Sequence, residues 1–437
     1  MKIIDTIDCF IPGDWGNETL SEEAPCKVSC IRGADIVPIE NNDFSHIPTR
    51  YISQQSFDTK CLQAGDIIVE KSGGSPTQST GRVSYVSQEL IDSVGSVVCS
   101  NFCVAFRVKQ NWNPLYIYYY LQHVYNNGVF FNFEGKTSGI KNLQLEAAYN
   151  AVPIEDVNKT TQDSIVAVLD SIQKKMTINR QINQNLEALA KQMYDYWFVQ
   201  FDFPNEEGKP YKSSGGAMVY NKKLKRNIPN GWQVVSVNDI SESFRGVSYT
   251  KDDLVYENQG VLVLRGNNIQ DNQLIYDSNV AYIPQSFVST EQKICNGDII
   301  MTMSSGSKEH VGKCVLFHHN TCETYGAFLT KFSPHPHCSY LLYDVFNSAY
   351  FKAKIKSIAS GTGINNLTNQ TFDNIYIALP PIEILKDFDE LQSKIFSEVG
   401  VLQQDTWLLI KHRDELLPLL MNGQVSVTPL NSDLSHD

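Results

Sequence analysis

The sequence has no long hydrophobic run. No stretch of the 437 residues approaches the roughly 18 uncharged apolar positions that a membrane-spanning helix needs. The first residues, MKIIDTIDCFIPGDWG, also lack a basic segment followed by an apolar one, which is the pattern of a secretory signal. We therefore expect a cytoplasmic protein with no membrane partner.

Positive charge is also scarce. The chain has 36 Lys and Arg against 48 Asp and Glu, which gives a net charge of −12 at pH 7. This balance excludes a protein that coats nucleic acid by charge alone, but a sequence reader needs positive charge only locally. Residues 209–226, KPYKSSGGAMVYNKKLKR, carry six Lys or Arg and no acid. An acidic chain can therefore still present a basic segment.

The cysteines lack metal-binding spacing. There are ten, none in a C-x-x-C pattern, and most stand beside apolar or aromatic residues, as in NFCVAF and GKCVLF. Reduced structural thiols are favoured over metal ligands. The segment HPHC (335–338) could offer ligands but has no second cluster at zinc spacing, so we expect a loop there and no metal site.

Catalytic motifs are missing as well. EGKTSG (134–139) ends like a phosphate-binding loop, but Phe130 stands where the leading glycine belongs. No G-x-G-x-x-G follows a strand, no amino-methyltransferase tetrapeptide is present, and no cluster of paired acids with Lys is evident. These absences favour a binding protein over an enzyme and predict no cofactor in this chain.

An internal repeat is present. Five fragments recur in the same order: IRGADI and LRGNNI, AGDIIVEKSGGS and NGDIIMTMSSGS, SGIKNLQ and TGINNLT, VPIED and PPIEI, and NLEALAKQM and RDELLPLLM. Only small insertions separate them, which indicates a tandem duplication of about half the chain. The unit is too long for a solenoid.

Each copy begins with a globular domain, at 1–152 and 231–379. Short strands rich in β-branched and aromatic residues alternate with Gly, Ser and Asn turns, and each copy has one helical stretch, at 113–127 and 338–355. The predicted fold class is therefore α+β, with two duplicated domains. A Gly- and Lys-rich connector occupies 201–230 and a tail 425–437.

A long amphipathic helix follows each domain, at 153–200 and 380–424. Apolar residues recur at coiled-coil spacing, so the two helices are predicted to pair antiparallel, hold the domains apart and give pseudo-two-fold symmetry. Packing of each helix on its own domain is the alternative. The residues assigned to helix pairing or partner docking are Ile172, Met176, Ile182, Leu186, Leu189, Ile395, Leu402, Leu409 and Leu416.

The loops that repeat after matching strands suit nucleic-acid contact. They offer hydroxyls, amides, small residues and a few cations, which can bind phosphates or read base edges. Simple turn formation is the alternative for any single residue. The candidate DNA-binding residues are Arg32, Lys71, Ser72, Gly73, Gly74, Ser75, Gln78, Lys136, Thr137, Ser138, Lys141, Asn142, Arg265, Asn267, Ser304, Ser305, Ser307, Lys308, Thr362, Asn365 and Asn366.

The arrangement resembles the specificity subunit of type I restriction-modification systems over nearly the whole chain. The resemblance rests on the G-D-I-I strand of both halves, on SGIKNL and TGINNL, on the helix end NLEALAKQMYDYWFVQFDFP, and on the connector GKPYKSSGGAMVYNKKLKRNIPNGW. It implies two target recognition domains that each read one half of a split double-stranded DNA site. It also implies docking of two adenine methyltransferase subunits and recruitment of restriction and translocase subunits.

The same resemblance places S-adenosylmethionine, ATP and Mg on the partner subunits, in agreement with the missing catalytic motifs. A scaffold or decoy for methyltransferase subunits, and less so an enzyme with its own catalytic domain, are the alternatives. One departure concerns the start of the first domain. IPNGWQVVSVNDI (228–240) introduces the second domain, but the first half gives only a loose echo in IPGDWG (11–16).

Overall fold

The computed structural model describes residues 1–73, 78–137, 140–270, 272–275, 280–306, 309–359 and 366–427. The chain divides into two compact units, unit 1 with Met1–Arg180 and Asp405–Asp437, and unit 2 with Gln181–Gln404. Among the described residues, no helix combines the length and the apolar character needed to cross a bilayer.

Unit 1 is an α+β unit of short strands. Its strands are β1 (Ile7–Pro12), β2 (Cys26–Ile31), β3 (Thr49–Ile52), β4 (Ile67–Glu70), β5 (Ser72–Gly73), β6 (Val83–Tyr85), β7 (Val97–Cys99), β8 (Cys103–Val108), β9 (Glu134–Thr137) and β10 (Ile140–Leu143). Its shorter helices are α1 (Ile36–Glu40), α2 (Gln54–Lys60), α3 (Gln88–Val94), α4 (Pro114–Asn126) and α5 (Leu145–Ala151), and the chain then enters the long helix α6 (Lys159–Tyr194).

Unit 2 has the same plan. Its strands are β11 (Met218–Asn221), β12 (Arg226–Pro229), β13 (Gln233–Ser236), β14 (Ser241–Arg245), β15 (Val261–Leu264), β16 (Ile269–Gln270), β17 (Gln273–Leu274), β18 (Ala281–Ile283), β19 (Ile299–Thr302), β20 (Cys314–Leu316), β21 (Thr324–Tyr325), β22 (Leu329–Pro334) and β23 (Tyr376–Leu379). Its helices are α7 (Ser339–Asn347), α8 (Ala349–Ala359) and α9 (Asn369–Phe372), and the long helix α10 (Ile382–Met421) follows.

The sheets confirm the duplication. Unit 1 has a four-stranded sheet in the order β1-β8-β4-β6, and unit 2 has its counterpart in the order β14-β22-β19-β20. A second sheet, β3-β2-β7 in unit 1 and β18-β15-β21 in unit 2, combines one antiparallel and one parallel pairing in both cases. The predicted α+β class is therefore confirmed in each half.

The repeated G-D-I-I segment forms the central strand of each four-stranded sheet. All four side chains of β4 are buried. Ile67 and Val69 face the core that contains α4, whereas Ile68 faces a second core with Ile31 and Leu90. A strand buried on both faces reads as a continuous apolar run, because neighbouring side chains point in opposite directions.

Strand β1 is the counterpart of β14, in a different register from the echo seen in the sequence. Strand β1 pairs with β8 as β14 pairs with β22. A Cβ at Gly13, after β1, would lie 2.0 Å from the carbonyl oxygen of Ser100, and one at Gly246, after β14, would lie 2.2 Å from that of Gly326. The IPG at 11–13 therefore corresponds to the FRG at 244–246, not to the IPN at 228–230.

In unit 1, α6 and α10 run antiparallel. Ile165 and Leu169, near the start of α6, share a core with Leu417 and Met421, near the end of α10. Asn179, farther along α6, donates to Asp405, which precedes those residues in α10. The predicted antiparallel arrangement is confirmed here.

In unit 2 the two helices are also antiparallel. Gln392 Nε2 donates to the carbonyl of Ala190 at 3.0 Å, and Phe198 packs edge-on against Phe388 with ring centroids 4.7 Å apart. The pairing prediction was wrong for Ile182 and Leu189, which are 40% and 48% exposed.

The buried stripe of α6 shifts by one position after Asn179. Asn183 and Ala190 are buried in unit 2, where Ile182 and Leu189 were predicted. The other predicted stripe residues are buried or half-buried: Ile172, Met176, Leu186, Ile395, Leu402, Leu409 and Leu416. The buried contact between α6 and α10 therefore includes a polar residue, Asn183, and a small one, Ala190, which hydrophobicity alone does not select.

The predicted connector is folded against unit 2. Phe203 stacks on Tyr211 with ring centroids 4.7 Å apart, and Phe201 and Phe203 both contact Trp232. Strands β11 and β12 close the segment as an antiparallel pair. Its aromatic residues, rather than its Gly and Lys content, decide this packing.

Candidate nucleic-acid interface

In unit 1, the end of β4, the start of β8 and the strand β10 meet at one junction. Ser72 Oγ donates to Asn142 Oδ1, and the backbone N–H of Leu143 donates to the carbonyl of Lys71 at 2.8 Å. The backbone N–H groups of Lys71 and Ser72 both donate to the carbonyl of Phe102, each at 2.9 Å. We call this set of residues the unit 1 junction.

Unit 2 repeats the junction bond for bond. Ser304 Oγ donates to Asn366 Oδ1, and the N–H of Leu367 donates to the carbonyl of Met303 at 2.8 Å. The N–H groups of Met303 and Ser304 donate to the carbonyl of Phe328 at 2.9 and 3.3 Å. These residues form the unit 2 junction. The Asn shared by SGIKNL and TGINNL therefore ties its loop to the end of the G-D-I-I strand in both halves.

Each junction carries an exposed phenylalanine that the sequence analysis missed. Phe102 is 52% exposed and Phe328 is 69% exposed. Large exposed apolar side chains often mark interaction sites, and an aromatic ring can stack on a nucleic-acid base. The signal was available in the sequence, because NFCVAF and AFLTKF both place an aromatic residue immediately before the strand.

The two predicted arginines differ in their surroundings. Arg32 is held by unit 1 itself: its Nε and Nη2 donate to both carboxylate oxygens of Asp35 at 2.9 and 2.8 Å, and Nη2 also donates to the carbonyl of His46. Asn268 occupies the corresponding place in unit 2, where it accepts only from the backbone N–H of Arg265. The Arg265 Nε has no hydrogen-bond partner among the described residues. Of these two side chains, Arg265 is the better candidate for a DNA contact.

Lys141 braces the loop beside the unit 1 junction. Its Nζ lies 3.2 Å from the Glu134 carboxylate and 3.1 Å from the carbonyl of Gln78, and it sits over the ring of Phe131 at 5.2 Å. The Glu134 carboxylate also accepts from the N–H of Thr80 at 2.7 Å. Much of the charge of Lys141 is thus balanced within the unit, whereas Lys71 is exposed.

The other predicted residues are placed as follows. Gln78 and Asn267 are exposed, and Ser305 is half-buried. Gly73 has φ of 142°, and a Cβ there would lie 2.9 Å from Glu70 Oε1, so this position favours glycine for steric reasons. Lys136 and Thr137 pair through the backbone of β9 with Lys141 and Ile140. The candidates Gly74, Ser75, Ser138, Ser307, Lys308, Thr362 and Asn365 lie outside the described residues.

The aspartate of each G-D-I-I segment has a structural role. Asp66 accepts from the N–H of Gln63 at 2.8 Å and forms a two-pronged pair with Arg107 at 2.8 and 2.9 Å. Asp298 accepts from the N–H of Cys295 at 2.7 Å and from Ser333 Oγ at 2.7 Å, and lies 3.3 Å from Lys331 Nζ. Each carboxylate fixes the turn before the central strand to the neighbouring strand of its sheet.

Thiols and imidazoles do not assemble a metal centre in the described part of the chain. No group of three or more His, Cys, Asp and Glu with metal-binding proximity occurs there. Burial raises the pKa of the Cys30 and Cys314 thiols to about 12, which keeps them protonated and unreactive. In the segment HPHC, which forms a turn, His337 pairs with Asp389 at 2.9 Å and Cys338 is buried.

Comparison with known proteins identifies the family. The model of the type I restriction modification DNA specificity domain matches residues 35–188 and 229–416. The type I restriction enzyme MjaIX specificity subunit of Methanocaldococcus jannaschii is 25% identical over 439 residues, which cover 96% of this chain and 95% of that protein. The EcoKI specificity subunit of Escherichia coli is 29% identical over 221 residues, which are 48% of this chain and 46% of that protein. The StySPI specificity subunit of Salmonella potsdam, like the EcoKI subunit, is matched over 46% of its length.

A solved structure has a similar fold. The crystal structure of a type I restriction-modification system S subunit from M. genitalium superimposes with a TM-score of 0.54 at 12% identity, over 96% of this chain and 95% of that one. With the family model matching twice, the chain belongs to the family of type I restriction modification DNA specificity domains.

Proposed function

We propose that this chain is the DNA-recognition subunit of a type I restriction-modification enzyme. Each unit reads one half of a split double-stranded DNA target, and the chain positions two adenine methyltransferase subunits, with restriction and translocase subunits, on that target. Family membership supports the DNA-recognition role. The internal duplication supports two reading units in one chain.

The observation that carries the proposal is the junction that occurs once in each unit. The unit 1 and unit 2 junctions keep the same Ser–Asn hydrogen bond and the same exposed phenylalanine. Around this common frame the residues differ, with Lys71 in unit 1 where unit 2 has Met303. A shared frame with different side chains is what two readers of different half-sites require, because the frame sets position and the side chains set base preference.

The contacts with DNA are proposed from exposure and chemistry. Lys71 is exposed and suits a phosphate, whereas Gln78 and Asn267 are exposed and can bond base edges through both amide atoms. Arg265 is half-buried, and Asn268 stands where Asp35 holds Arg32, so its guanidinium suits a guanine edge or a phosphate. Arg32 is left out of this set because Asp35 already binds its guanidinium.

The long helices carry exposed apolar residues that suit partner docking. In unit 1, Ile178 and Trp407 are 50% and 51% exposed. In unit 2, Ile182, Leu189 and Val401 are 40%, 48% and 58% exposed. Such side chains are the usual anchors of a protein interface. Their presence in both units supports docking of two methyltransferase subunits.

The chemistry is assigned to the partners. S-adenosylmethionine, ATP and Mg bind the methyltransferase and restriction subunits in this proposal, and the chain itself is not catalytic. The net charge of −12 agrees with partners that supply most phosphate contacts, so the chain alone is expected to bind DNA weakly. The complex is expected to act in the cytoplasm.

The test is to co-express the chain with its methyltransferase subunit and to map adenine methylation across a genome by single-molecule sequencing. We expect one split motif with a fixed gap between its halves. Exchanging residues 231–379 for another recognition domain should then change one half of the motif and leave the other unchanged.

Two outcomes would overturn the proposal. Co-purification without any methylated motif would make the chain a scaffold or decoy. A chain that binds S-adenosylmethionine alone, in equilibrium dialysis, would instead indicate an enzyme with its own catalytic domain.

A further inference from the structure

Unit 2 contains a cleft of about 900 Å³ whose walls come mainly from α6, α7, α8 and the strand β23. The end of α6 contributes Glu187, Lys191 and Tyr194, and α7 contributes Tyr343 and Asp344. The residues of the two junctions do not line it. The cleft is therefore separate from the proposed DNA contacts.

Asp344 is the unusual group in this cleft. It is only 7% exposed, and its Oδ2 is buried without a hydrogen-bond partner among the described residues. Burial raises the pKa of its carboxyl well above the usual value for aspartate, and Asp195 adds to the rise while Lys191 opposes it. A buried carboxyl without a partner destabilises a fold, so packing does not account for this residue.

Two of the three cations that line the cleft are engaged elsewhere. Lys191 Nζ pairs with Asp195 at 2.6 Å. Arg226 donates to the carbonyl of Phe198 at 2.9 Å, and its guanidinium lies over the ring of Phe201 at 4.4 Å. Lys191 and Arg226 therefore have acceptors other than Asp344, and the third cation of the lining, Lys352, is exposed.

Unit 1 treats the corresponding helix face differently. A Cβ at Gly65 would contact Pro114, the first residue of α4, and a Cβ at Gly297 would contact Ser339, the first residue of α7. Aligning the two helices at these contacts makes Tyr119 the counterpart of Asp344. In unit 1, Tyr118 and Gln122 of α4 both donate to the carboxylate of Glu40, at the end of α1.

In unit 1, Gln173 of α6 also donates to the Glu40 carbonyl at 3.0 Å, so α1 covers this face of α4. In unit 2, the corresponding face of α7 lines the cleft. The counterparts of Tyr118 and Gln122 in unit 2 are Tyr343 and Asn347, and both line the cleft. The cleft is therefore a feature of the second unit.

We propose that this cleft binds the side chain of an arginine supplied by a protein partner, with the Asp344 carboxylate accepting hydrogen bonds from the guanidinium. A guanidinium keeps its charge when buried, bonds a carboxylate through two N–H groups and stacks on aromatic rings. Tyr194, Phe198 and Tyr343 provide such rings in the lining. Naming the partner as the methyltransferase subunit rests on the proposed function; the arginine site itself does not.

The first experiment uses the full chain and two capped tripeptides, acetyl-Gly-Arg-Gly-amide and the same peptide with citrulline, which has the shape of arginine without its charge. Binding is measured by ligand-observed NMR for the unaltered chain, Asp344→Asn and Asp252→Asn. Asp252 is an exposed aspartate of unit 2 and serves as the matched control. We expect the arginine peptide to bind the unaltered chain and the Asp252→Asn chain equally.

Loss of the charge on either side should weaken binding by about tenfold or more, as expected for a charged hydrogen bond. The citrulline peptide and the Asp344→Asn chain should both show this loss. Equal binding of the two peptides, or full binding by Asp344→Asn, would overturn the site. Because Asp344 Oδ2 has no hydrogen-bond partner among the described residues, Asp344→Asn and Asp344→Leu should unfold at the same or a higher temperature than the unaltered chain, and a large fall in Tm would show a structural role instead.

The second experiment tests the source of the arginine. The affinity of the methyltransferase subunit is measured by calorimetry for the same variants, and only Asp344→Asn should lose about tenfold. Unchanged affinity would overturn the assignment of the arginine to that subunit. An unaltered chain that binds the arginine peptide and yet directs no split methylation motif would overturn the proposed function and leave the site intact.

Discussion

Asn179 of α6 donates through its side-chain amide to the carboxylate of Asp405 of α10 at 2.7 Å, and Asn179 has no exposed surface. The same amide lies 3.3 Å from Thr406 Oγ1, and Lys175 Nζ lies 3.6 Å from the Asp405 carboxylate. A polar contact inside an apolar seam fixes the register of paired helices, since a shift would leave the polar group buried without a partner. This contact therefore sets how α6 and α10 align in unit 1.

The register contact can be measured by a double-mutant cycle. Asn179→Ala is expected to lower the free energy of unfolding by about 1 to 3 kcal/mol, because a charged acceptor loses its donor. Combined with Asp405→Ala, the losses should be non-additive by at least about 0.5 kcal/mol. Chemical denaturation followed by circular dichroism measures this, with the exposed His412→Ala as control. Strict additivity would show that the two side chains do not depend on each other.

The two junctions should act independently on the two halves of the DNA target. Asn142→Ala removes the acceptor of Ser72 in unit 1, and Asn366→Ala removes that of Ser304 in unit 2. Each change should reduce methylation by about tenfold at targets whose recognition depends on the half-site read by that unit. This factor corresponds to the loss of one specific base contact. Competition with oligonucleotides altered in either half measures the effect. If both variants lose sequence discrimination at the same half of the DNA target, the junctions do not read separate half-sites.

The exposed phenylalanines should contribute to DNA affinity without contributing to stability. Phe102→Ala and Phe328→Ala are each expected to weaken DNA binding by about 1 to 3 kcal/mol, as for a ring stacked on a base. Their Tm should stay close to that of the unaltered chain, because both side chains are exposed. Phe287, 40% exposed in unit 2, offers a control away from the junction. Equal DNA affinity of the alanine variants of Phe102, Phe328 and Phe287 would show that Phe102 and Phe328 do not contact DNA.

The sequence predicted the fold well wherever one pattern has one structural solution. The segments GDIIVEK and GDIIMTM predict a strand in each half, and β4 and β19 confirm it. Apolar steps of three and four residues predict the first long helix and seven-residue steps the second, and α6 and α10 lie within the predicted ranges 153–200 and 380–424. The stretch 338–355 instead divides into α7 and α8 at Ser348, whose Oγ accepts from the N–H of Phe351 at 3.2 Å and starts a new helix.

Tertiary context decided the rest. Hydrophobicity selects Ile182 and Leu189 for the helix seam, but the pairing of α6 with α10 buries Asn183 and Ala190 instead. Arg32 and Arg265 look equivalent in the sequence, yet the residue three positions later is Asp35 in one case and Asn268 in the other. Only the carboxylate binds the guanidinium, so equal motifs do not give equal chemistry.

The glycines that follow β1 and β14 test the register of the duplication. A methyl group at Gly13 or Gly246 would collide with a neighbouring carbonyl, so Gly13→Ala and Gly246→Ala should each lower the free energy of unfolding by about 3 kcal/mol or more. Gly306→Ala is the control, because its Cβ would meet nothing within 4 Å. Denaturant titrations compare the three variants. A tolerated Gly13→Ala would contradict the equivalence of β1 and β14.

His318 should make the folded chain less stable in acid. His318 packs against Tyr340 and Phe396, with ring centroids 6.4 and 5.0 Å away, and burial lowers the pKa of its imidazole to about 4, with a smaller contribution from His319. Between pH 6.5 and 4 the unfolded chain therefore binds a proton at this histidine that the folded chain does not, so acidification favours unfolding. The loss of stability from this group, complete near pH 4, should reach about 3 kcal/mol.

The control is His318→Phe, which keeps a ring in the stack and removes the titrating group. Both chains lose stability in acid through other groups, so the informative quantity is the difference between their free energies of unfolding at pH 7 and at pH 4.5, measured by urea titration. The unaltered chain should lose more than the variant, since only its unfolded state gains the extra proton. Equal losses would mean that the imidazole titrates normally and is accessible to water in the folded chain. A smaller loss in the unaltered chain would reverse the sign and place an acidic partner beside the ring.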